Sequence, residues 1–170
     1  MTHPSLHFIC GSTGAGKTTY AIRLSAEIGA VRFSIDEWMA ALFWMDRPEP
    51  LDPRWSIERV ERCYAQMWRL ASEVAGRGLP VVLDWGFGSA ELRRRYADFA
   101  AQASLPVKLH VLDVPADERW RRVGLRNMSR GTTHQLPFDV TRDMFDFVES
   151  MWEPPTVAEL AALSGVVITR

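Results

Sequence analysis

Apolar runs of four to nine residues recur along the chain, and amphipathic stretches separate them. "LHFIC" (6–10) has the length and apolar character of a buried strand. Residues 16–28, "GKTTYAIRLSAEI", carry helical periodicity and stop at Gly29. "VRFSI" (31–35) predicts a second strand, followed by a helix from Asp36 to about Trp44. "MDRPEPLDPRW" is rich in proline and charge and predicts a loop. Helical spacing returns over 55–75 and ends at "GRGLP". "PVVLD" (80–84) predicts a third strand, "WGFGS" a turn, and Ser89 the cap of a helix to about Ala103. "PVKLHVLDV" (106–114) is the fourth strand, and Pro115 opens a helix to about Asn127. A loop over "MSRGTTHQLPF", a helix over 139–151, a short helical segment at Val157–Leu160 and a last strand "VVIT" (166–169) complete the pattern. Five short apolar strands alternating with helices predict an α/β fold, a parallel sheet covered by helices on both faces. No internal repeat interrupts it, so a single domain over 1–170 is expected.

Composition narrows the function. With 170 residues, 47% hydrophobic and 24% charged, the chain resembles ordinary soluble globular domains. A formal net charge of -1 gives no bulk attraction for nucleic acid or anionic membrane. No apolar run approaches a membrane span of roughly 18 residues, and "MTHPSLHFIC" lacks a secretory pattern, so a cytoplasmic protein is expected. Cys10 and Cys63, like the four histidines, show no metal-ligand spacing, and no disulfide is expected.

Gly11-x4-Gly16-Lys17-Thr18, set between a predicted strand and a predicted helix, is a Walker A phosphate loop. Its glycines let successive N–H groups converge on one anion, and the helix that follows presents its positive end to the same place. Gly11, Ser12, Thr13, Gly14, Ala15, Gly16, Lys17, Thr18 and Thr19 are therefore the expected nucleotide-binding residues. Lys17 reaches the β and γ phosphates, and the Thr18 hydroxyl is offered to Mg²⁺. The chain has two lysines against eighteen arginines, yet the loop uses lysine, the slim point charge this geometry needs. The Asn-Lys-x-Asp signature of GTPases is missing, which points to ATP.

Three further features bear on the fate of the phosphate. Asp36 follows the second strand, at the edge where α/β sheets bind ligands. It suits a base that takes the proton of an attacking hydroxyl, and equally a helix N-cap. Asp84 ends "PVVLD" and suits a Walker B carboxylate holding Mg²⁺, or a turn-forming residue. Arg119, Arg122, Arg126 and Arg130 lie on one helix face leading into a glycine-containing loop. They fit a solvated basic face, or a lid over about 126–138 whose arginines neutralise a transferring phosphoryl group. Trp38, Trp44, Trp85 and Phe87 fall near the ends of the second and third strands. Trp38 and Trp85, beside the two carboxylates, fit either substrate contact or core packing. Arg93, Arg94 and Arg95 fit an anion site or a solvated helix surface.

"GSTGAGKTT", "FSIDEW", "VVLDWGFGS", "RWRRVGLRN" and "MWEPPT", in this order, resemble the P-loop small-molecule kinases and their AAA-type ATP-binding relatives. The wider group includes chloramphenicol phosphotransferase, zeta toxin, gluconate kinase and the kinase domain of polynucleotide kinase. The resemblance spans nearly the whole chain and implies a sheet ordered 2-3-1-4-5. It implies that Asp36 is the substrate-activating carboxylate and that Arg122, Arg126 and Arg130 belong to the lid, with Arg122 and Arg126 near the nucleotide. Lys17, Asp36, Arg126 and Arg130 are then the expected catalytic residues, Thr18 and Asp84 the metal ligands, and Asp36, Trp38 and Trp85 the acceptor contacts. The expected activity is ATP- and Mg²⁺-dependent phosphoryl transfer to a hydroxyl of a small molecule, by a monomer or homodimer. An ATP-binding switch acting through a protein partner, and a nucleic-acid end kinase, are the alternatives. The resemblance names no acceptor, because these relatives phosphorylate sugars, antibiotics, sugar nucleotides and nucleic-acid ends.

Overall fold

The computed structural model describes residues 6–129 and 138–169. Its centre is one five-stranded sheet, β1 (Leu6–Cys10), β2 (Val31–Ser34), β3 (Val81–Gly86), β4 (Val107–Asp113) and β5 (Val166–Thr169). The strand order is β2-β3-β1-β4-β5 and every pairing is parallel, as expected from the sequence. β1, the most buried strand, pairs with both β3 and β4, so all five of its side chains are withdrawn from water.

Alternation along the strands divides the core in two. Leu6, Phe8, Leu83, Trp85 and Leu109 pack with α3 (Pro53–Gly76) and α4 (Ala90–Gln102) on one face. Ile9, Val82 and Leu112 pack with Tyr20, Ala21 and Leu24 of α1 (Lys17–Ile28) on the other. A smaller cluster of Val123, Val140 and Phe145 joins α5 (Ala116–Met128) to α6 (Arg142–Ser150). α2 (Ile35–Phe43) and the short α7 (Val157–Ala162) complete the helices.

Three boundaries differ from the sequence reading, each for a local reason. α3 begins earlier, at Pro53, because the Asp52 side chain accepts the Arg54 N–H and Pro53 fills the first helical position. β3 runs two residues beyond Asp84, because Gly86 pairs with Cys10 and its carbonyl accepts the Gly11 N–H at 3.1 Å. The expected turn at Trp85 and Gly86 is therefore strand. α2 begins at Ile35 with Ser34 in the capping position, so Asp36 is a first-turn residue and not the N-cap. Cys10 and Cys63 are buried and free.

His7 and His110, distant in sequence, meet on β1 and β4. His7 Nδ1 lies 2.9 Å from His110 Nε2, and Tyr20 Oη of α1 lies 2.8 Å from His110 Nδ1. A neutral imidazole has one donor and one acceptor nitrogen, so the Tyr20–His110–His7 chain runs in a single direction. Burial, aided by the Lys108 charge, holds His7 at a pKa of about 4. Burial, then His7 and Lys108, holds His110 at about 4. Both values lie below those of the unfolded chain, so the unfolded state takes up more protons as the pH falls. The stability these neutral histidines contribute is intact above about pH 6.5 and is lost progressively toward pH 4. Chemical denaturation at pH 7 and pH 5 is expected to show a loss on the order of 2 kcal/mol for the coupled pair, and His110→Gln is expected to flatten that dependence.

Candidate active site

The phosphate loop occupies the turn from β1 into α1. Gly14 and Gly16 take left-handed backbone, φ 80° and 87°. At Gly14 freedom of φ is only half the constraint, because a Cβ there would stand 2.5 Å from the Arg119 carbonyl oxygen of α5. The loop is packed hard against the start of that helix. Lys17, the first residue of α1, folds back and donates to the Ser12 carbonyl at 3.0 Å. The residue is half-buried, at the wall of a cleft. Burial pushes its pKa down, while Asp36 and Asp84 push it back up.

The arginine stripe divides into separate roles. Arg119 is 5% exposed and serves the loop from behind. Its Nη1 donates to the Thr13 carbonyl at 3.2 Å, and its two terminal nitrogens make a bidentate pair with Glu149 of α6, both bonds 2.7 Å. The same Glu149 accepts from Ser12 Oγ at 2.9 Å. One carboxylate from α6 thus ties the loop hydroxyl to the arginine that holds the loop backbone. Arg122, bonded to Glu118, extends over the loop, with Nη1 3.9 Å from where a Gly16 Cβ would be. Arg126 reaches the opposite wall. It is near enough to Asp36 for their charges to shift one another's pKa, and its buried Nη2 has no hydrogen-bond partner among the described residues. Arg130 and His134 lie outside the described residues.

Two carboxylates face Lys17 across the carboxyl ends of β2 and β3. Asp36, carried by the first turn of α2, keeps access to solvent while protein surrounds it. Burial raises its pKa, and Lys17 and then Arg126 oppose that rise. Asp84 is 4% exposed within β3. Burial also raises its pKa, against Lys17, Arg32 and a hydrogen bond from Thr18. Thr18 and Asp84 therefore present oxygen donors side by side. Such a set suits Mg²⁺, which takes few protein oxygens and keeps several waters. Arg32 of β2 was not expected here. It donates to Asp84 Oδ2 at 3.0 Å and to Glu37 with its other nitrogen. The signal was its position, because Ser34 is in register with Asp84 and Arg32 stands on the same face two residues earlier.

Lys17, Asp36 and Asp84 open into one cleft of ≈ 630 Å³. Tyr64 of α3, Arg95 of α4 and Met151 beyond α6 contribute to its walls. Trp85 lines it only as part of the core, 4% exposed among Tyr64, Phe87 and Tyr96, with its buried Nε1 lacking a hydrogen-bond partner among the described residues. Phe87 is wholly buried. Trp38 packs edge-on against Phe33, centroids 6.4 Å apart, and is not among the residues lining this cleft. Arg93, expected at an anion site or a solvated surface, is 1% exposed and serves as an internal tie to Glu159 and to the Phe87 and Glu153 carbonyls. Arg95 pairs with Glu61.

Replacing Glu149 by Gln is expected to leave the Arg119 charge without its anion. The expected cost is about 1–3 kcal/mol of stability, together with weakened ATP binding as Ser12 and Thr13 lose their common anchor. Denaturant unfolding and ATP titration on the same variant check both effects.

The described residues contain no helix long and apolar enough to cross a membrane. Comparison with solved structures finds the same fold at low sequence identity. A putative kinase from Chloroflexus aurantiacus superposes with a TM-score of 0.68 at 18% identity, covering 100% of this chain and 86% of that one. Kti12 from Chaetomium thermophilum, in complex with ADP-AlF3, gives 0.67 at 17% identity, covering 96% and 88%. The APS kinase CysC of Mycobacterium tuberculosis, in complex with AMPPNP and APS, gives 0.63 at 19%, covering 98% and 88%. No curated protein matches the sequence. The sequence model of the AAA domain matches residues 6–151, which takes in the phosphate loop, both cleft carboxylates and the arginine helix, and the chain belongs to that AAA-domain family.

Proposed function

We propose that this protein transfers the γ-phosphoryl group of ATP to a hydroxyl of a small molecule. The observation that carries the reading is the carboxylate of Asp36, standing in the cleft within electrostatic reach of both Lys17 and Arg126. A protein that only bound or hydrolysed ATP would have less need of a solvent-accessible carboxylate opposite the phosphate lysine.

The loop amides and Lys17 hold the phosphates. Arg122 lies over the loop beside them. Asp36 orients the acceptor hydroxyl and takes its proton as the oxygen bonds to the γ-phosphorus. The bond from that phosphorus to the bridging oxygen breaks, and its electron pair leaves with ADP. Arg126, whose buried Nη2 has no hydrogen-bond partner among the described residues, supplies an N–H to the charge that develops on the transferring group. Thr18 and Asp84 would hold Mg²⁺, which when bound neutralises charge on the β and γ phosphates. Arg32 keeps Asp84 oriented and opposes the rise in its pKa that burial causes.

Asp36→Asn is expected to abolish transfer while ATP affinity stays close to wild type. Labelled γ-phosphate assayed against a mixed panel of hydroxyl compounds, with an ATP titration beside it, checks this. A mutant with the wild-type rate would remove Asp36 from the role. The pH profile supplies an independent test. Transfer needs ionised Asp36, so its rate rises with pH through the carboxylate's titration. Arg126 holds that pKa down against burial. Arg126→Gln is expected to move the acidic limb of the profile to higher pH as well as to lower its plateau, and an unmoved limb would show that Arg126 does not act on the base.

A further inference from the structure

A second, smaller pocket opens beside Asp36, on the side away from the helix dipole and lysine of the phosphate loop. Its volume is ≈ 180 Å³. Asp36, Met39 and Ala40 are spaced i, i+3, i+4 on α2, so the face that carries the carboxylate also carries the pocket wall. Trp44, Leu51, Trp55 and Phe138 complete the apolar lining. Trp44 and Phe138 stack at 5.2 Å between centroids, 19° from parallel. Phe43 braces Trp55 edge-on at 6.5 Å. Asp36 and Ser56 are the polar members of the lining, and both also line the main cleft. The two spaces therefore share a border at the carboxylate.

Among the described residues, none that lines the pocket is basic. The guanidiniums of Arg47 and Arg59 are committed elsewhere, stacked on Trp44 at 4.1 Å and on Trp55 at 4.2 Å and bonded to the carbonyls of those same residues. An anionic or heavily hydroxylated group entering here would lose water and find too few partners. An uncharged ring would lose nothing comparable. A cavity of roughly 150 Å³ lined by apolar side chains takes benzene, so this one has room for a single substituted ring.

We infer that the pocket takes the apolar ring of the phosphate acceptor, an uncharged ring-bearing alcohol whose hydroxyl projects past Asp36 into the main cleft. This rests on the phosphotransferase reading and narrows it, away from open-chain polyols and acidic sugars.

Benzyl alcohol and cyclohexylmethanol serve as ring alcohols, with glycerol, sorbitol and gluconate as comparisons. Binding is read by ligand-observed NMR on the full chain with Mg²⁺ and a non-hydrolysable ATP analogue, and transfer from ATP by mass spectrometry. The ring alcohols are expected to bind and to be phosphorylated in preference to the polyols. Ala40→Phe, which fills the pocket, and Leu51→Asp, which charges its exposed rim, are each expected to weaken ring-alcohol binding about tenfold or more. Both variants should keep their affinity for the ATP analogue, which also reports that they are folded. Ring alcohols that fail to bind the wild type, or bind both variants as well as wild type, overturn the inference. So does phosphorylation of a polyol or gluconate that is undiminished by Ala40→Phe, an outcome that leaves the kinase reading standing. Ring alcohols that bind, lose binding in Ala40→Phe and yield no phosphorylated product support the pocket and count against the phosphotransferase reading.

Discussion

A half-buried ammonium sets the terms of this structure. Lys17 has to stand where phosphate will stand, at the wall of the cleft. Removing a charge from water is costly unless opposite charge stays close. Asp36 and Asp84 supply that charge; Asp84 is itself buried, and Lys17 opposes the rise in pKa that burial imposes on both carboxylates. Beyond them stand Arg32 and Arg126. The result is a chain of alternating sign, Arg32, Asp84, Lys17, Asp36 and Arg126, drawn from β2, β3, α1, α2 and α5. The charges come from five different elements, so the site exists only when those elements have assembled.

Parallel strands make that assembly possible. They bring the carboxyl ends of β1, β2 and β3 to one edge, where backbone leaves the sheet and side chains can point inward. Register does the finer placement, since Ser34 beside Asp84 puts Arg32 within reach of the carboxylate. The loop is fixed from the other side. Arg119 and Glu149 grip Ser12 and Thr13 through a bidentate pair, a geometry that holds position as well as charge. Anchoring the loop from α5 and α6 leaves its amides facing the cleft.

Much of this was legible in local pattern. The phosphate loop announces itself by glycine spacing between strand and helix, and five apolar runs between amphipathic stretches define the sheet. Asp36 stood out because it follows a strand, although its capping alternative fell only when Ser34 proved to hold that position. What stayed hidden depends on contacts between distant segments. Glu149 looks like any helix-surface acid until α6 is laid beside the loop. Arg119 looked like one of a row of lid arginines, and only packing separates the buried tie from Arg122 and Arg126. Arg93 was read with its two neighbours as a basic run, yet it points inward to Glu159. The tryptophans erred in the other direction. Proximity in sequence to a carboxylate recommended Trp38 and Trp85, whereas Trp44, Trp55 and Phe138 were brought together by the angle between α2, α3 and the chain before α6.

The apolar surroundings and the charged chain are two aspects of one design problem. A carboxylate in water is a weak base toward an alcohol, and a nearby cation makes it weaker still. Desolvation by the surrounding protein raises the pKa of Asp36, and Lys17 and Arg126 oppose that rise. The balance depends on the local dielectric, because the same charges interact several-fold more strongly when water is excluded. An acceptor whose ring fills the space beside Asp36 would displace water from that side of the base, strengthening both effects together. In that arrangement binding energy from a part of the acceptor remote from the chemistry tunes the group that performs it.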